Sequence, residues 1–201
     1  MILYCIRHGE STYNAEGRIQ GQSDVPLSAR GRLQGQAAAR AMVGLGVEAV
    51  FASPLQRALH TAEMVAAELG LEVQTDARLK EVDCGLFQDR MREEILRDYE
   101  GMIEQWRSGQ PDFAFPEGES RQGLIRRGRE VLREICKSGH QTVAVVSHGG
   151  LLLAGMKSLL GVRSTEPPLS LGNTSISKLE INSGGRAELL EFDRTDHLDG
   201  I

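Results

Sequence analysis

The sequence predicts an α/β fold: a three-layer sandwich with a mainly parallel central sheet, helices on both faces and a helical lid insertion. Three observations carry this. Apolar runs and helical stretches alternate along the chain, separated by Gly and Pro. The run Thr142-Val143-Ala144-Val145-Val146 is β-branched and uninterrupted, as a buried strand is. A length of 201 residues suits one domain with a substantial core, so 1–201 is read as a single unit.

Taken in order, Ile2 to Arg7 is the first strand. Ser28 caps a helix from about Ala29 to Val43, where Ala37, Ala38, Ala41 and Met42 form an apolar stripe and Gly44 and Gly46 end the pattern. A strand follows near Val47 to Ala52. Ser53-Pro54 has the form of an N-cap followed by proline at the first helical position, and the helix Leu55 to Leu69 closes at Gly70. A short strand near Leu71 to Gln74 leads to the loop Arg78 to Gly85, and the chain then reads as charge-rich helix to about Ser108. Pro111 to Gly118 interrupts it. The segment of about 91–121 breaks the alternation and holds the only Trp; it is read as an insertion over the sheet edge, either a lid or a plain surface excursion. A helix from about Ser120 to Lys137 feeds the buried strand, Ser147-His148-Gly149-Gly150 turns at its end, and Leu151 to Leu160 forms a helix stopped by Gly161. Ser175 to Ile181 and Ala187 to Phe192 read as a hairpin around Asn182-Ser183-Gly184-Gly185.

Composition narrows the function classes. A formal charge of −5 argues against a nucleic-acid partner, because duplex binding rests on a basic face. No apolar run is long enough to cross a bilayer, and Met1 leads straight into the first strand without a basic stretch or cleavage site, so neither a membrane nor secretion is expected. Cys5, Cys84 and Cys136 are odd in number and far apart, with no Cys-x-x-Cys spacing, which argues against a disulfide framework and a structural zinc site. A reducing cytoplasm is the expected compartment. An edge strand or an exposed lid face offers a surface for a homodimer.

Ligands of open α/β sheets collect beyond the carboxyl ends of the strands. Three such ends carry cationic or titratable groups: Arg7-His8, Ser53 with Arg57 after it, and Ser147-His148. Each alone has a bland explanation as a hydrogen-bonded histidine or a solvated arginine. Their common placement points to a site.

The local spelling is more specific. Arg7-His8-Gly9-Glu10-Ser11-Thr12-Tyr13-Asn14, then Gly17-Arg18-Ile19-Gln20-Gly21 and Pro26-Leu27-Ser28-Ala29-Arg30-Gly31, resembles the opening signature of the histidine phosphatase superfamily, in its phosphoglycerate-mutase-like branch. Ser53-Pro54-Leu55-Gln56-Arg57-Ala58 with Thr61-Ala62, Leu79-Lys80-Glu81 with Gly85, Pro116-Glu117-Gly118-Glu119-Ser120, and Val146-Ser147-His148-Gly149-Gly150 resemble that family's later motifs in its order. The resemblance spans essentially the whole chain. It implies a phosphomonoester hydrolase acting on a small phosphorylated metabolite through a phosphohistidine, with His8 as nucleophile and with neither metal nor cofactor.

The residue chemistry fits that implication. A phosphomonoester carries about −1.5 to −2 charges, so its attacker must be neutral or shielded by cations. The imidazole of His8 meets the first need, and Arg7 and Arg57, whose planar guanidinium groups can each grip two oxygens, meet the second. His148, at a helix start, would bind a non-bridging oxygen either as the cation or as a neutral donor. For the proton moved to the leaving oxygen, Glu81 and Asp83 compete; the family's Leu-x-Glu pattern favours Glu81. Asn14, Gln20 and Gly21 follow His8 and offer hydrogen bonds to substrate or plain loop chemistry. Gly149 permits close backbone approach, and Thr174 or Ser175 closes the pocket from the far side. His60 and His140 read as structural or surface residues, and His197 either reaches the pocket as a substrate contact or does the same.

Two departures from the family's pattern loosen specificity. Many relatives carry Glu-Gly after an aromatic residue where this chain has Gln88-Asp89, and Leu153 stands where relatives often carry Arg. Two other functions compete with hydrolysis. One is a phosphoglycerate mutase, although the family's mutases are generally longer. The other is a non-catalytic sensor of phosphorylated ligands, which would be expected to lack part of the reacting set. Metal-dependent hydrolysis finds no support in a His-Glu-x-x-His pair, an aspartate cluster or a Gly-Lys-Ser/Thr loop.

Overall fold

A computed structural model of the chain describes residues 1–162 and 170–201. Its centre is the pair β1 (Ile2–Arg7) and β4 (Thr142–Ser147), parallel and in register so that Arg7 stands opposite Ser147. β2 (Ala49–Ala52) flanks β4, and β3 (Val73–Thr75) flanks β2, both parallel. On the other side of β1, the hairpin β5 (Ile176–Ile181) and β6 (Ala187–Arg194) is antiparallel, giving the order β3-β2-β4-β1-β5-β6.

Alternate side chains of a strand point to opposite faces, and both faces of the central strands are covered. Tyr4, Ile6, Ala144 and Val146 pack with Ala58, Ala62 and Val65 under α2 (Ala29–Ala41) and α3 (Gln56–Leu69). Leu3, Cys5, Val143 and Val145 pack with Val131, Leu132, Leu151 and Leu152 from α5 (Arg121–Ile135) and α6 (Gly149–Leu160). This is the three-layer sandwich that the alternating pattern predicts, mostly parallel and antiparallel only at the hairpin.

The predicted caps hold at two helices. Ser28 Oγ accepts from Gly31 N at 2.9 Å and Ser120 Oγ from Gly123 N at 3.1 Å, each worth roughly 1 kcal/mol. The start of α3 differs from expectation: Leu55 is its N-cap and offers no side-chain bond. Asp24, distant in sequence, instead accepts from Gln56 N at 2.7 Å. Helix α6 begins two residues earlier than the apolar run suggests, with His148 at its N-cap.

Residues 91–121 form α4 (Arg92–Arg107) and a loop. Non-helical angles at Tyr99 (φ −142°, ψ 35°) kink α4. An aromatic cluster ties this segment to the α5/α6 layer: Trp106 packs on Phe115 at 4.8 Å between ring centres, and Phe87 on Tyr99 at 4.9 Å and Phe115 at 5.5 Å. Among the described residues no helix is long and apolar enough to cross a membrane.

Candidate active site

Because β1 and β4 are adjacent and in register, the residues that follow them come out of the sheet together. His8 and His148 are both buried, with ring centres 5.1 Å apart. Backbone bonds hold the pair: His8 N donates to Ser147 O at 2.9 Å, and Thr174 N donates to His8 O at 3.2 Å. Gly9 lies so close to α2 that a Cβ there would stand 2.4 Å from Gly31 O, so only glycine fits after the histidine.

The His8 ring is oriented by its own neighbour. Nδ1 lies 2.6 Å from Gly9 O, and a carbonyl can only accept, so this nitrogen carries the ring's proton and the lone pair is on Nε2. Burial, then the charges of Arg57 and Arg7, hold the His8 pKa well below its ordinary value. The same causes, with burial largest, act on His148. Its Nε2 lies 2.8 Å from Ser53 Oγ, while its buried Nδ1 has no partner among the described residues.

Arg57 is fully buried on the first turn of α3. It donates to Ser23 O and Gly21 O, each at 2.7 Å, and its Nε is left without a partner. Burial pulls its pKa down to about 10, partly offset by Glu81 and Asp24, so it remains a cation at neutral pH. Arg7 donates to Leu171 O, and its Nε is likewise buried and unpartnered. Among the described residues, two guanidinium nitrogens and one imidazole nitrogen are thus buried without partners near His8, a donor set suited to an anion.

Glu81 caps helix α6. Its Oε2 accepts from Gly150 N at 3.0 Å, and its Oε1 accepts from Leu151 N at 3.0 Å and Val82 N at 2.9 Å. Asp83, its competitor in the sequence, is occupied locally, accepting from Gly85 N at 2.9 Å. The other predicted contacts divide. Asn14 Oδ1 accepts from Ser11 N in a capping box at the start of α1 (Thr12–Glu16), and Gln20 Oε1 accepts from Ser11 Oγ at 2.6 Å. Both amides are thereby fixed by their oxygens. Gly21 gives its carbonyl to Arg57. Gly149 lies beside Arg7, whose Nε is 3.8 Å from where its Cβ would be. Thr174 is fully buried and braces the His8 carbonyl. His197 sits beside the Thr174 backbone, His60 is on α3, and His140 pairs with Glu48 at 3.6 Å. Among the described residues no three His, Cys, Asp or Glu side chains form a group that could hold a metal.

The model of the histidine phosphatase superfamily (branch 1) matches residues 3–193. The chain belongs to that superfamily. Among its relatives is a probable phosphoglycerate mutase, GpmB, of Klebsiella pneumoniae, 38% identical over 181 residues, which cover 89% of this chain and 84% of that one. Among solved structures, a mycobacterial glucosyl-3-phosphoglycerate phosphatase bound to VO3 superposes with a TM-score of 0.90 at 31% identity, covering 96% of this chain and 99% of that one. Phosphoserine phosphatase from Entamoeba histolytica, in complex with 3-phosphoglyceric acid, superposes at 0.87 with 30% identity, covering 98% of both chains.

Several residues that shape the site carry no signal of that role in the sequence. Arg127, on α5, donates to the carbonyls of Arg78, Lys80 and Glu81 at 2.8, 2.6 and 3.2 Å and pairs with Glu119 at 2.6 Å, which fixes the loop that presents Glu81. Gln22 donates to Glu81 O at 3.1 Å. The departure at Gln88-Asp89 is absorbed by the backbone: Asp89 adopts φ 66°, the left-handed conformation that glycine favours, and Gln88 Oε1 accepts from Gln22 N at 2.5 Å.

Proposed function

We propose that the protein is a phosphomonoester hydrolase that works through a phosphohistidine on His8, with a small phosphorylated metabolite as substrate and without metal or cofactor. The observation that carries this reading is the bond from His8 Nδ1 to Gly9 O, which leaves Nε2 as the nucleophilic atom of a buried, neutral imidazole. Nε2 attacks phosphorus as the bond to the leaving oxygen breaks. Arg7 and Arg57 hold the non-bridging oxygens through donors that are unpartnered or only partly used, where losing one such donor typically costs about 3 kcal/mol of transition-state stabilisation.

His148 completes this set. Leu55 N donates to Ser53 Oγ at 3.3 Å, which favours the hydroxyl proton pointing to His148 Nε2 and leaves Nδ1–H for a phosphoryl oxygen. Glu81 supplies the proton to the leaving oxygen. Its Oε2 accepts one backbone bond where Oε1 accepts two, so Oε2 is the atom with room for that proton. In the second step Glu81 takes a proton from water, the resulting hydroxide oxygen bonds to phosphorus, and the P–N bond breaks to return neutral His8 and phosphate.

The names of the curated relatives favour a second reading, transfer of the phosphoryl group to a second hydroxyl. One experiment separates the two. Purified protein should release inorganic phosphate from p-nitrophenyl phosphate and from several metabolite monoesters, without priming. Interconversion of phosphoglycerates only after priming by a bisphosphoglycerate, with no phosphate released, would select the mutase.

A further inference from the structure

A cavity of about 660 Å³ opens from the site along α6, between that helix, α4 and α5. One end is lined by Arg7, Gly149 and Gly150, and Gly150 N is bonded to the Glu81 carboxylate. From there Leu153, Ala154 and Lys157 line its length, and the rise of about 1.5 Å per residue sets Lys157 about 10 Å beyond Gly150. The facing wall is apolar, with Trp106, Leu124 and Ile125. Leu153, where many relatives carry Arg, is part of this apolar lining.

The charge of the cavity is one-sided. Among the described residues, every ionisable side chain that lines it is a cation, in a chain whose net charge is −5. The kink at Tyr99 lets both ends of α4 border it, bringing in Arg92 and Arg107. Neither side chain forms an ion pair or a hydrogen bond among the described residues. Arg121 lies 4.2 Å over the Trp106 ring and donates to Trp106 O and Gln110 O, which fixes the indole against the cavity. A cleft of single sign with apolar walls concentrates ligands of the opposite sign.

We propose that this cavity takes the alcohol half of the substrate, and that this half is an apolar or flat body carrying a second anionic group, received on the α4 wall by Arg92 and Arg107. The inference rests on the reading of phosphoryl transfer at His8. It narrows the substrate class from any small phosphomonoester to an elongated ester with two anionic poles.

The probes are two non-hydrolysable phosphonates, biphenyl-4-ylmethylphosphonate and its 4′-carboxy derivative. Their affinities for the wild type, the Arg92→Gln/Arg107→Gln double variant and an Arg40→Gln control on the opposite face are measured by calorimetry. The wild type and the control should bind the carboxylated compound at least tenfold more tightly, and the double variant should lose most of that preference. If both phosphonates bind equally and compete with p-nitrophenyl phosphate, the second pole is overturned while the hydrolase reading stands. A preference undiminished in the double variant also overturns it. If neither compound binds, the second pole is overturned, and phosphate release from p-nitrophenyl phosphate decides the hydrolase reading independently. If the preference and its loss appear in a protein that releases no phosphate, the anion-receiving cavity stands and the hydrolase reading falls.

Discussion

Glu81 and Gly150 are fitted to one another: the carboxylate accepts from Gly150 N at 3.0 Å, and a Cβ on Gly150 would stand 2.6 Å from Glu81 Oε1. The missing side chain leaves room for the carboxylate at the start of α6. Gly150→Ala should therefore displace Glu81 while leaving the helix intact. We expect kcat on alkyl phosphate esters to fall on the order of a hundredfold, as removal of a positioned acid does. Glu81→Gln should show the same fall, and both variants should lose less on p-nitrophenyl phosphate, whose leaving group depends less on protonation. Equal losses on both kinds of ester would separate Glu81 from leaving-group protonation.

Arg57 is both a phosphoryl ligand in this account and the clasp of the loop that supplies Gly21 O and Ser23 O. Arg57→Lys keeps the charge but not the planar fork. Its kcat/KM should drop by roughly a hundredfold or more. The loss of a buried fork should also lower the unfolding free energy by about 1–3 kcal/mol, read by urea titration of the folded variant.

The two buried histidines set a pH dependence of stability. Both have folded-state pKa values lowered by burial and by Arg57 and Arg7. Below the unfolded value of about 6.5 the unfolded chain binds protons that the folded chain does not, so stability is full above that pH and is lost as pH falls. The loss reaches up to about 2 kcal/mol per histidine between pH 6.5 and pH 5. Thermal melts should show the midpoint falling over that range, with a shallower slope in the His8→Asn/His148→Asn double variant. An unchanged slope would mean that these histidines do not resist protonation. Bound phosphate should oppose the loss, since its charge favours the protonated rings.

Dialysis against a chelator should leave turnover of p-nitrophenyl phosphate unchanged. A loss restored by a divalent cation would require a metal in the mechanism.

Much of this was legible because the signals were local. The strand ends at Arg7-His8 and Ser147-His148, the caps at Ser28 and Ser120, and the stops at Gly70 and Gly161 each depend on neighbours in the chain. What was hidden is what depends on distant partners. Ser53 reads as a helix cap, yet its hydroxyl faces His148, because Asp24 from another loop takes the amide at the start of α3. Arg127 looks like one more charge on a charged helix, and only the fold brings the Arg78, Lys80 and Glu81 carbonyls to it. Thr174 reads as a pocket-wall residue, and its bond to the His8 carbonyl, made from a turn with a positive φ of 54°, depends on a residue far away in the chain and so has no local sign. The kink at Tyr99 has no Pro to announce it, and Gly101, two residues on, is a weak sign in an otherwise helical pattern.

The central claim is that His8 Nε2 takes the phosphoryl group. It is tested most directly by acid-free quench of the protein with excess substrate, followed by mass spectrometry of the intact chain and of the peptide holding Arg7-His8-Gly9. The account predicts one added phosphoryl group, labile to acid, on His8 at Nε2, and none in His8→Ala. A phosphoryl group on another residue, or turnover at the wild-type rate in His8→Ala, would contradict it.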